Sequence, residues 1–168
     1  MITIKLTDYT TKWIADFKHE KTKLHALIGN DVTIEHIGST AVPGLIAKPT
    51  IDILIGVDDL SKSSCFVSKI TSLAYDYIPE YETQLPHRKY FEKIVNGAHI
   101  AHIHLVKKGG EFWKTHLLFR NILQSNQTIR REYGHLKQTL ARSKWPHRNE
   151  YANAKSAFIS DVLDQYDA

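Results

Sequence analysis

Residues 35–55 read EHIGSTAVPGLIAKPTIDILI, and this stretch decides the fold of the chain. An apolar run ends at Gly38-Ser39, a short segment with Pro43 and Gly44 follows, and a second apolar run carries Asp52. This order predicts a strand, a tight turn and a second strand whose carboxylate faces the turn. A turn that exposes backbone amides beside a carboxylate can hold a metal-bound triphosphate.

The composition of the chain limits the classes of function. Its 168 residues, of which 42% are hydrophobic, predict a single domain with one substantial core. A formal net charge of +4 suits an anionic ligand such as a nucleotide but is too small to indicate nucleic-acid binding. Cys65 is the single cysteine, so no internal disulfide is expected. The absence of disulfides, together with the lack of a long apolar signal segment at the start, favours a location in the cytoplasm. No run reaches the roughly 18 apolar residues that predict a membrane span.

The first two thirds of the chain show strand and helix patterns in alternation. They predict a strand at 2–6, a long helix capped by Thr7 or Asp8 and ended by Gly29-Asn30, central strands at 32–37 and 50–57, a helix from Asp58-Asp59 to about Leu73, and strands at 88–95 and 99–106. Asn96-Gly97 lies between the last two strands and is typical of an antiparallel hairpin.

The last third is predicted to be helical. Three helices are expected near 110–124, 127–143 and 148–166, and Trp145-Pro146 separates the last two because proline lacks the amide that a continuing helix needs. We therefore expect one domain, 1–168, in which an α/β layer at 1–108 is followed by a helical cap at 109–168.

The Gly-Ser turn and the carboxylate after it form the first candidate site. Gly38 can adopt backbone angles closed to other residues, and amides at the start of a turn at Ser39-Thr40 would point at an anion. The spacing from Gly38 to Lys48 does not match a P-loop, and the alternative is a connection in which glycine serves geometry alone. Asp52 lies within an apolar strand, where an ionised carboxylate needs a metal or a cation. Its alternative role is a buried ion pair with Lys48 or Arg88.

A histidine-rich strand at 99–106 is the second candidate. Side chains alternate along a strand, so His102 and His104 share one face. Imidazoles bind divalent metals or move protons near neutral pH. The alternative is a pair of surface or hydrogen-bonding histidines under the cap. His36 and His99 lie near these segments, but the strand pattern does not fix their orientation.

Cationic residues of the helical cap form the third candidate. Tyr133 and Lys137, like Tyr151 and Lys155, are four residues apart and share a helix face. The alternative is that each lysine stem packs beside a buried tyrosine. The residues predicted to form a phosphate-binding wall opposite the Gly-Ser turn are Arg88, Arg120, Lys137, Arg148 and Lys155.

These segments resemble the GrpB family, small bacterial proteins of nucleotidyltransferase-like fold. The match to EHIGSTAVPGLxAKPxIDI at 35–53 is nearly complete, and the His-x-His element and segments 119–123, 133–137 and 148–155 are similar too. The family more often has Asp at the position of Asn121. The resemblance implies an α+β fold, a nucleotidyltransferase-like mixed sheet flanked by helices with a C-terminal helical cap.

The resemblance also implies a chemistry and shows a departure from it. Enzymes of this fold place Gly-Ser before a strand with Asp-x-Asp or Asp-x-Glu, which holds two metals, and a third carboxylate on another strand activates the acceptor. Asp52 matches the first carboxylate, but Leu54 stands at the second position. The His-x-His element stands where the third carboxylate would be.

Two hypotheses of function follow. In the first, a nucleotidyltransferase moves a nucleotidyl group from a nucleoside triphosphate to a small acceptor. Gly38, Ser39, Thr40 and Lys48 would then hold phosphates. Mg²⁺ or Mn²⁺ would be held by Asp52, His102 and His104, which alternatively act as the general base. In the second, a non-catalytic module of the same fold binds a nucleotide or another phosphometabolite; Leu54 favours this one. An RNA-binding accessory protein finds little support in the small net charge.

Overall fold

A computed structural model describes residues 1–167; Ala168, the last residue of the predicted domain, lies outside the described residues. The strands are β1 Ile2–Thr3, β2 Thr33–Ile37, β3 Ile51–Val57, β4 Asp76–Tyr77, β5 Arg88–Val95, β6 Ala98–Lys107 and β7 Lys144–Trp145. The helices are α1 Lys12–Ile28, α2 Ser64–Thr71, α3 Glu111–Ser125, α4 Gln127–Ala141, α5 Arg148–Asn153 and α6 Ser156–Tyr166. Short 3-10 turns span Ser39–Ala41, Leu60–Lys62 and Pro79–Thr83. The expected α+β class is confirmed.

A mixed sheet in the order β2-β3-β6-β5-β4 organises the chain. Strands β3 and β6 run parallel at its centre, and the other pairs are antiparallel. The predicted hairpin joins β5 to β6, with Asn96 and Gly97 both at positive φ in the turn. In the central pair, Asp52 lies directly beside His102 and Leu54 beside His104. The register therefore places this carboxylate and both imidazoles on one face of the sheet.

Helices α1 and α2 cover the opposite face. The apolar positions of α1, which recur at helical spacing, pack against the inward side chains of β3 and β6 in the largest buried cluster. Ile53 and Leu105 are fully enclosed there. Burying each such side chain contributes about 1.5–3 kcal/mol before the entropy of folding is counted, so this face is the main source of stability.

Helix α3 covers only part of the face that carries Asp52. Trp113 approaches β3 at Gly56, where a Cβ would lie 2.5 Å from the indole ring. Leu54 is fully buried in the cluster formed with Ile37, Val106 and Trp113. The remainder of this face, around Asp52 and His102, is open to a cleft.

Two helix starts differ from the sequence predictions. Helix α1 begins at Lys12 after Thr11, not after Thr7 or Asp8, because Thr7 forms a backbone bridge with Ala47 and remains extended. Asp59 caps the 3-10 turn by accepting from the Ser61 amide, so α2 begins only at Ser64.

The C-terminal segment also differs from prediction. The single helix expected at 148–166 is two helices, α5 and α6, and the break falls at Ala154-Lys155. The predicted strand at 2–6 is reduced to β1, which pairs with β7 at Trp145. Among the described residues, no helix is long and apolar enough to cross a membrane.

Candidate functional site

A cleft of about 350 Å³ opens between the sheet and helices α4 and α5. Its walls come from the turn after β2, from β3, β5 and β6, and from the helices. The predicted site residues that line it are Ser39, Thr40, Lys48, Asp52, Arg88, His102, His104, Lys137, Arg148 and Lys155. Gly38 lies beside the cleft, in contact with Asp52. Arg120 is not among the lining residues.

The Gly38 backbone fixes the position of the turn. Its φ of +75° is in the region that favours glycine, and a Cβ there would lie 2.6 Å from Oδ2 of Asp52. The 3-10 turn that follows starts at Ser39. The Thr40 hydroxyl is buried and contacts Nε2 of His36 at 2.9 Å. His36 stacks on Phe17 on the far face of the sheet, so it does not belong to the cleft.

Asp52 is held as a carboxylate by two imidazoles. Its Oδ1 lies 3.5 Å from Nδ1 of His102 and 3.5 Å from Nε2 of His104. Burial would raise the pKa of Asp52, but the hydrogen bonds from His102 and His104 outweigh it and keep the pKa well below its usual range. Asp52 is therefore ionised throughout the physiological range and acts as an acceptor.

The contacts of His104 fix its tautomer. Arg88 Nη1 lies 3.2 Å from Nδ1 of His104, and because a guanidinium can only donate, Nδ1 accepts. The ring proton is then on Nε2, which faces Asp52. Burial lowers the pKa of His104, in keeping with this neutral form. Both ring nitrogens are thus engaged, and His104 has no free lone pair with which to take a proton.

His102 belongs to a second chain of contacts, which sequence analysis missed in part. Its Nε2 lies 3.2 Å from Nδ1 of His99, and that nitrogen lies 3.8 Å from Oε2 of Glu92. The ligand atoms of these three residues all lie within 4.8 Å of one another. Among residues 1–167, no such group contains Asp52 or His104. The atoms suited to a cation are thus grouped around His102 with Glu92 and His99, not with the predicted Asp52 and His104.

A bulge in the hairpin explains why this grouping was missed. Lys93 pairs with Ala101 but Ile94 pairs with His99, so Ile100 is an extra residue in β6. It places His99, whose orientation the strand pattern left open, on the face of His102, which an unbulged strand would not do. It also brings Glu92 directly beside His102. The Asn96-Gly97 turn was the one sequence signal that bears on the pairing of Glu92. A hairpin extended from this turn without a bulge would pair Glu92 with Ala101 and not with His102.

Three lysines converge on the other wall of the cleft. Nζ of Lys155 lies 4.6 Å from the centre of the Tyr151 ring, and Nζ of Lys48 lies 5.5 Å from it. Lys137 is almost fully buried and donates to the Ile46 carbonyl. Among the described residues, none of these lysines has a carboxylate within ion-pair distance. We call Lys48, Lys137 and Lys155 the lysine cluster.

Burial and mutual repulsion lower the pKa values of two residues of the lysine cluster. Burial, with the nearby charges of Lys155 and Lys48, lowers the pKa of Lys137 to about 7. Burial, with the charge of Lys48, lowers the pKa of Lys155 to about 8. An anion bound among the three ammonium groups would offset this repulsion and would favour their protonated forms.

Arg120, which was predicted to belong to the phosphate-binding wall, is instead bound to strand β2. Its Nη1 donates to Oε2 of Glu35 at 2.7 Å and to the His36 carbonyl at 2.9 Å. The guanidinium is therefore engaged by strand β2. Of the residues predicted for the phosphate-binding wall, Arg88, Lys137, Arg148 and Lys155 line the cleft, whereas Arg120 does not.

The site does not fit a two-magnesium centre. Such a centre needs carboxylates that bridge two cations about 4 Å apart. On β3 only Asp52 offers one, since Leu54 is buried against Trp113, and Asp52 is already the acceptor for two imidazoles. The residues of β3 therefore lack the second carboxylate that a pair of magnesium ions would need.

The sheet, the Gly-Ser turn and Asp52 define a nucleotidyltransferase-like fold. The structure is similar to the crystal structure of Cid1 poly (U) polymerase with MgGTP bound, with a TM-score of 0.55 and 14% identity. The similarity covers 82% of this chain and 45% of that chain. At this identity the similarity establishes the fold alone.

The chain belongs to the GrpB family, whose profile, described as "GrpB protein", matches residues 3–165. It is similar to the crystal structure of the conserved protein GrpB from Enterococcus faecalis, with a TM-score of 0.84 and 31% identity over 96% of both chains. It is 32% identical to the glutamate-rich protein GrpB of Alkalihalophilus pseudofirmus, over 95% of this chain and 94% of that protein. It is also 34% identical to the UPF0157 protein YqkA of Bacillus subtilis. That match covers 93% of this chain but only 45% of YqkA. The resemblance found in the sequence is confirmed.

Proposed function

We propose that this chain binds a nucleoside triphosphate in the cleft and moves its nucleotidyl group to a small acceptor. The observation that carries this proposal is the lysine cluster, which converges on the cleft beside Asp52 without a carboxylate partner among the described residues. Charge-assisted contacts of this kind are roughly twice as strong as neutral hydrogen bonds. The nucleotide bound in the Cid1 structure supports a triphosphate as the ligand.

The three predicted catalytic residues take different roles in this proposal. His104 is saturated by Arg88 and Asp52, so it positions Asp52. Asp52 accepts from Nδ1 of His102, which leaves the lone pair of Nε2 on the side of His99. When the ring proton of His99 is on its Nε2, Nδ1 of His99 does not donate to this nitrogen, which can then take the proton of an acceptor hydroxyl or bind a cation. General-base assistance of this kind contributes about 10²–10⁴-fold to a rate.

The test combines binding and turnover. Nucleoside triphosphates are titrated by calorimetry into the purified chain, with and without divalent cations, and pyrophosphate release is followed with a panel of small hydroxyl and amine acceptors. We expect Lys137→Met to keep the apolar stem and to weaken triphosphate binding by about 1–3 kcal/mol, or 5- to 150-fold. Lys18→Met, on the exposed face of α1, is the matched control and is expected to bind as the unmodified chain does. Absence of triphosphate binding at millimolar concentration would contradict the proposal.

Leu54 supports a second candidate, a non-catalytic nucleotide or phosphometabolite-binding module. It fills the position of the second acidic residue and is fully buried, so it belongs to the core. Binding that depends on Lys137 but is accompanied by no pyrophosphate release with any acceptor would favour this module over the enzyme.

A further inference from the structure

We propose that Glu92, His99 and His102 form a binding site for a single transition-metal cation of the zinc type, with one coordination position open to the cleft. This site shares His102 with the predicted Asp52, His102 and His104 set but differs from it in the other two ligands and in the metal. It also does not rest on nucleotidyl transfer, because metal binding is measured without any nucleotide.

The distances suit one small cation. Zinc-type metals bind imidazole nitrogen at about 2.0–2.1 Å, which places neighbouring tetrahedral ligands about 3.3 Å apart. The His99 Nδ1 to His102 Nε2 distance is 3.2 Å, and the His99 Nδ1 to Glu92 Oε2 distance is 3.8 Å. The side chains are 15–17% exposed, so the site is enclosed by the sheet but can be reached from the cleft.

The ligands stand on a rigid frame. Glu92 and His102 are direct partners across the β5–β6 ladder, and the bulge at Ile100 brings His99 onto the same face. The Thr50 hydroxyl donates to the His99 carbonyl at 2.8 Å and ties the backbone of the bulge to the segment before β3. Bulges re-aim side chains at functional sites, and this one brings together three ligands that alternation alone would separate.

Asp52 orients His102, one of the three proposed ligands. Metal-binding histidines commonly donate their second ring N–H to a carboxylate, which fixes the tautomer and leaves the other nitrogen for the metal. Oδ1 of Asp52 lies 3.5 Å from Nδ1 of His102, which leaves Nε2 to face His99 and Glu92. In this arrangement Asp52 is a positioning residue and His102 is the ligand.

The donor set selects the metal. Two imidazoles and one carboxylate suit Zn²⁺, Co²⁺ or Ni²⁺, whereas Mg²⁺ prefers oxygen ligands and keeps several waters. Three protein ligands with a fourth position left open are typical of catalytic rather than structural zinc sites. Glu92 and His102 line the cleft together with Lys48 and Arg148, so the open position faces the proposed phosphate site. The ligand expected there is a water or a phosphate oxygen.

The test uses tag-free, metal-stripped protein and the metals alone. Co²⁺ is titrated while the visible absorption of a four-coordinate ion is followed, and Zn²⁺ and Mg²⁺ are compared by calorimetry. We expect one equivalent of Co²⁺ or Zn²⁺ to bind and Mg²⁺ to bind far more weakly. His99→Gln and Glu92→Gln are expected to lose at least 100-fold in affinity, and Asp52→Asn about 10–100-fold. Folding of each variant is checked by circular dichroism.

Two comparison variants make the assignment falsifiable. His135→Gln removes an exposed histidine of α4 and is expected to bind Co²⁺ within about threefold of the unmodified chain. His104→Gln removes the other imidazole on Asp52, which positions that carboxylate, so it is expected to lose no more affinity than Asp52→Asn does. A loss in His104→Gln as large as that in His99→Gln would move the metal to Asp52, His102 and His104, and unchanged affinity in His99→Gln would overturn the site. If a ligand variant fails to fold, anomalous diffraction from a Zn²⁺-soaked crystal of the unmodified chain decides the position.

Discussion

Gly38 and Asp52 are in contact across the turn that opens the cleft: a Cβ added to Gly38 would lie 2.6 Å from the Oδ2 atom of Asp52. The glycine is thus required both by its backbone conformation and by the position of the carboxylate. The Gly-Ser turn and the strand that follows it are therefore one structural unit. A substitution at Gly38 should act on Asp52 as well as on the turn.

Gly38→Ala tests this contact. Positive φ at a non-glycine residue costs about 1–3 kcal/mol, and displacement of Asp52 should add to that cost. Gly44→Ala is the matched control, because Gly44 also has a positive φ but nothing lies within 4 Å of its added Cβ. Denaturant unfolding should show a larger loss of stability for Gly38→Ala, and only this variant should weaken ligand binding. Equal losses would show that the contact with Asp52 carries no cost.

The lysine cluster predicts a pH dependence of anion binding. Lys137 and Lys155 have pKa values lowered to about 7 and about 8, so they lose protons between pH 6 and pH 9. Triphosphate affinity measured by calorimetry should therefore fall across this range, after correction for buffer ionisation. In Lys137→Met the part of the decrease centred near pH 7 should be absent. An affinity independent of pH would contradict the prediction.

The same lysines should affect stability with the opposite sign. Between about pH 7 and the ordinary lysine pKa of 10.5, the unfolded chain binds more protons at Lys137 than the folded chain does. The free energy of unfolding contributed by this residue therefore rises with pH across that window. Urea unfolding at several pH values should show the rise, and Lys137→Met should flatten it. A curve that Lys137→Met leaves unchanged would show that this lysine titrates normally.

Asp52→Asn separates chemistry from folding. Because the folded-state pKa of Asp52 lies below its ordinary value, its contribution to stability is present above about pH 4 and is lost as the pH falls further. At pH 7 we expect the variant to keep its fold and to lose metal-dependent nucleotide binding, as measured by circular dichroism and calorimetry. If the variant unfolds at pH 7 and the unmodified chain binds no nucleotide, Asp52 is a structural hydrogen-bond acceptor.

Arg120→Met tests the corrected phosphate wall. Arg120 contacts Glu35 and the His36 carbonyl, so we expect its loss to reduce stability by about 1 kcal/mol and to leave triphosphate affinity within about twofold. Lys155→Met is the comparison within the lysine cluster and should show the reverse pattern. If Arg120→Met lost as much triphosphate affinity as Lys155→Met, Arg120 would have to contact the bound phosphates.

Local sequence pattern determined much of the frame. The strand–turn–strand unit around Gly38 and Asp52, the hairpin at Asn96-Gly97 and the shared face of His102 and His104 all follow from periodicity and turn chemistry within a few residues. The family resemblance added that these strands form a mixed sheet flanked by helices with a C-terminal helical cap. These features were predictable because the residues that specify them are neighbours in the chain.

Only the tertiary structure decided how the site is composed. The extra residue Ile100 shifts the β5–β6 register and brings Glu92 and His99 to His102, which an unbulged hairpin would not do. Contacts between distant segments likewise bring Lys137 beside Ile46 and bind Arg120 to Glu35. Register and ion pairing depend on packing over long sequence separations, and no local period records them. The sequence by itself therefore determined which strand faces carry polar groups, whereas the packed sheet and helices decided which of those groups meet.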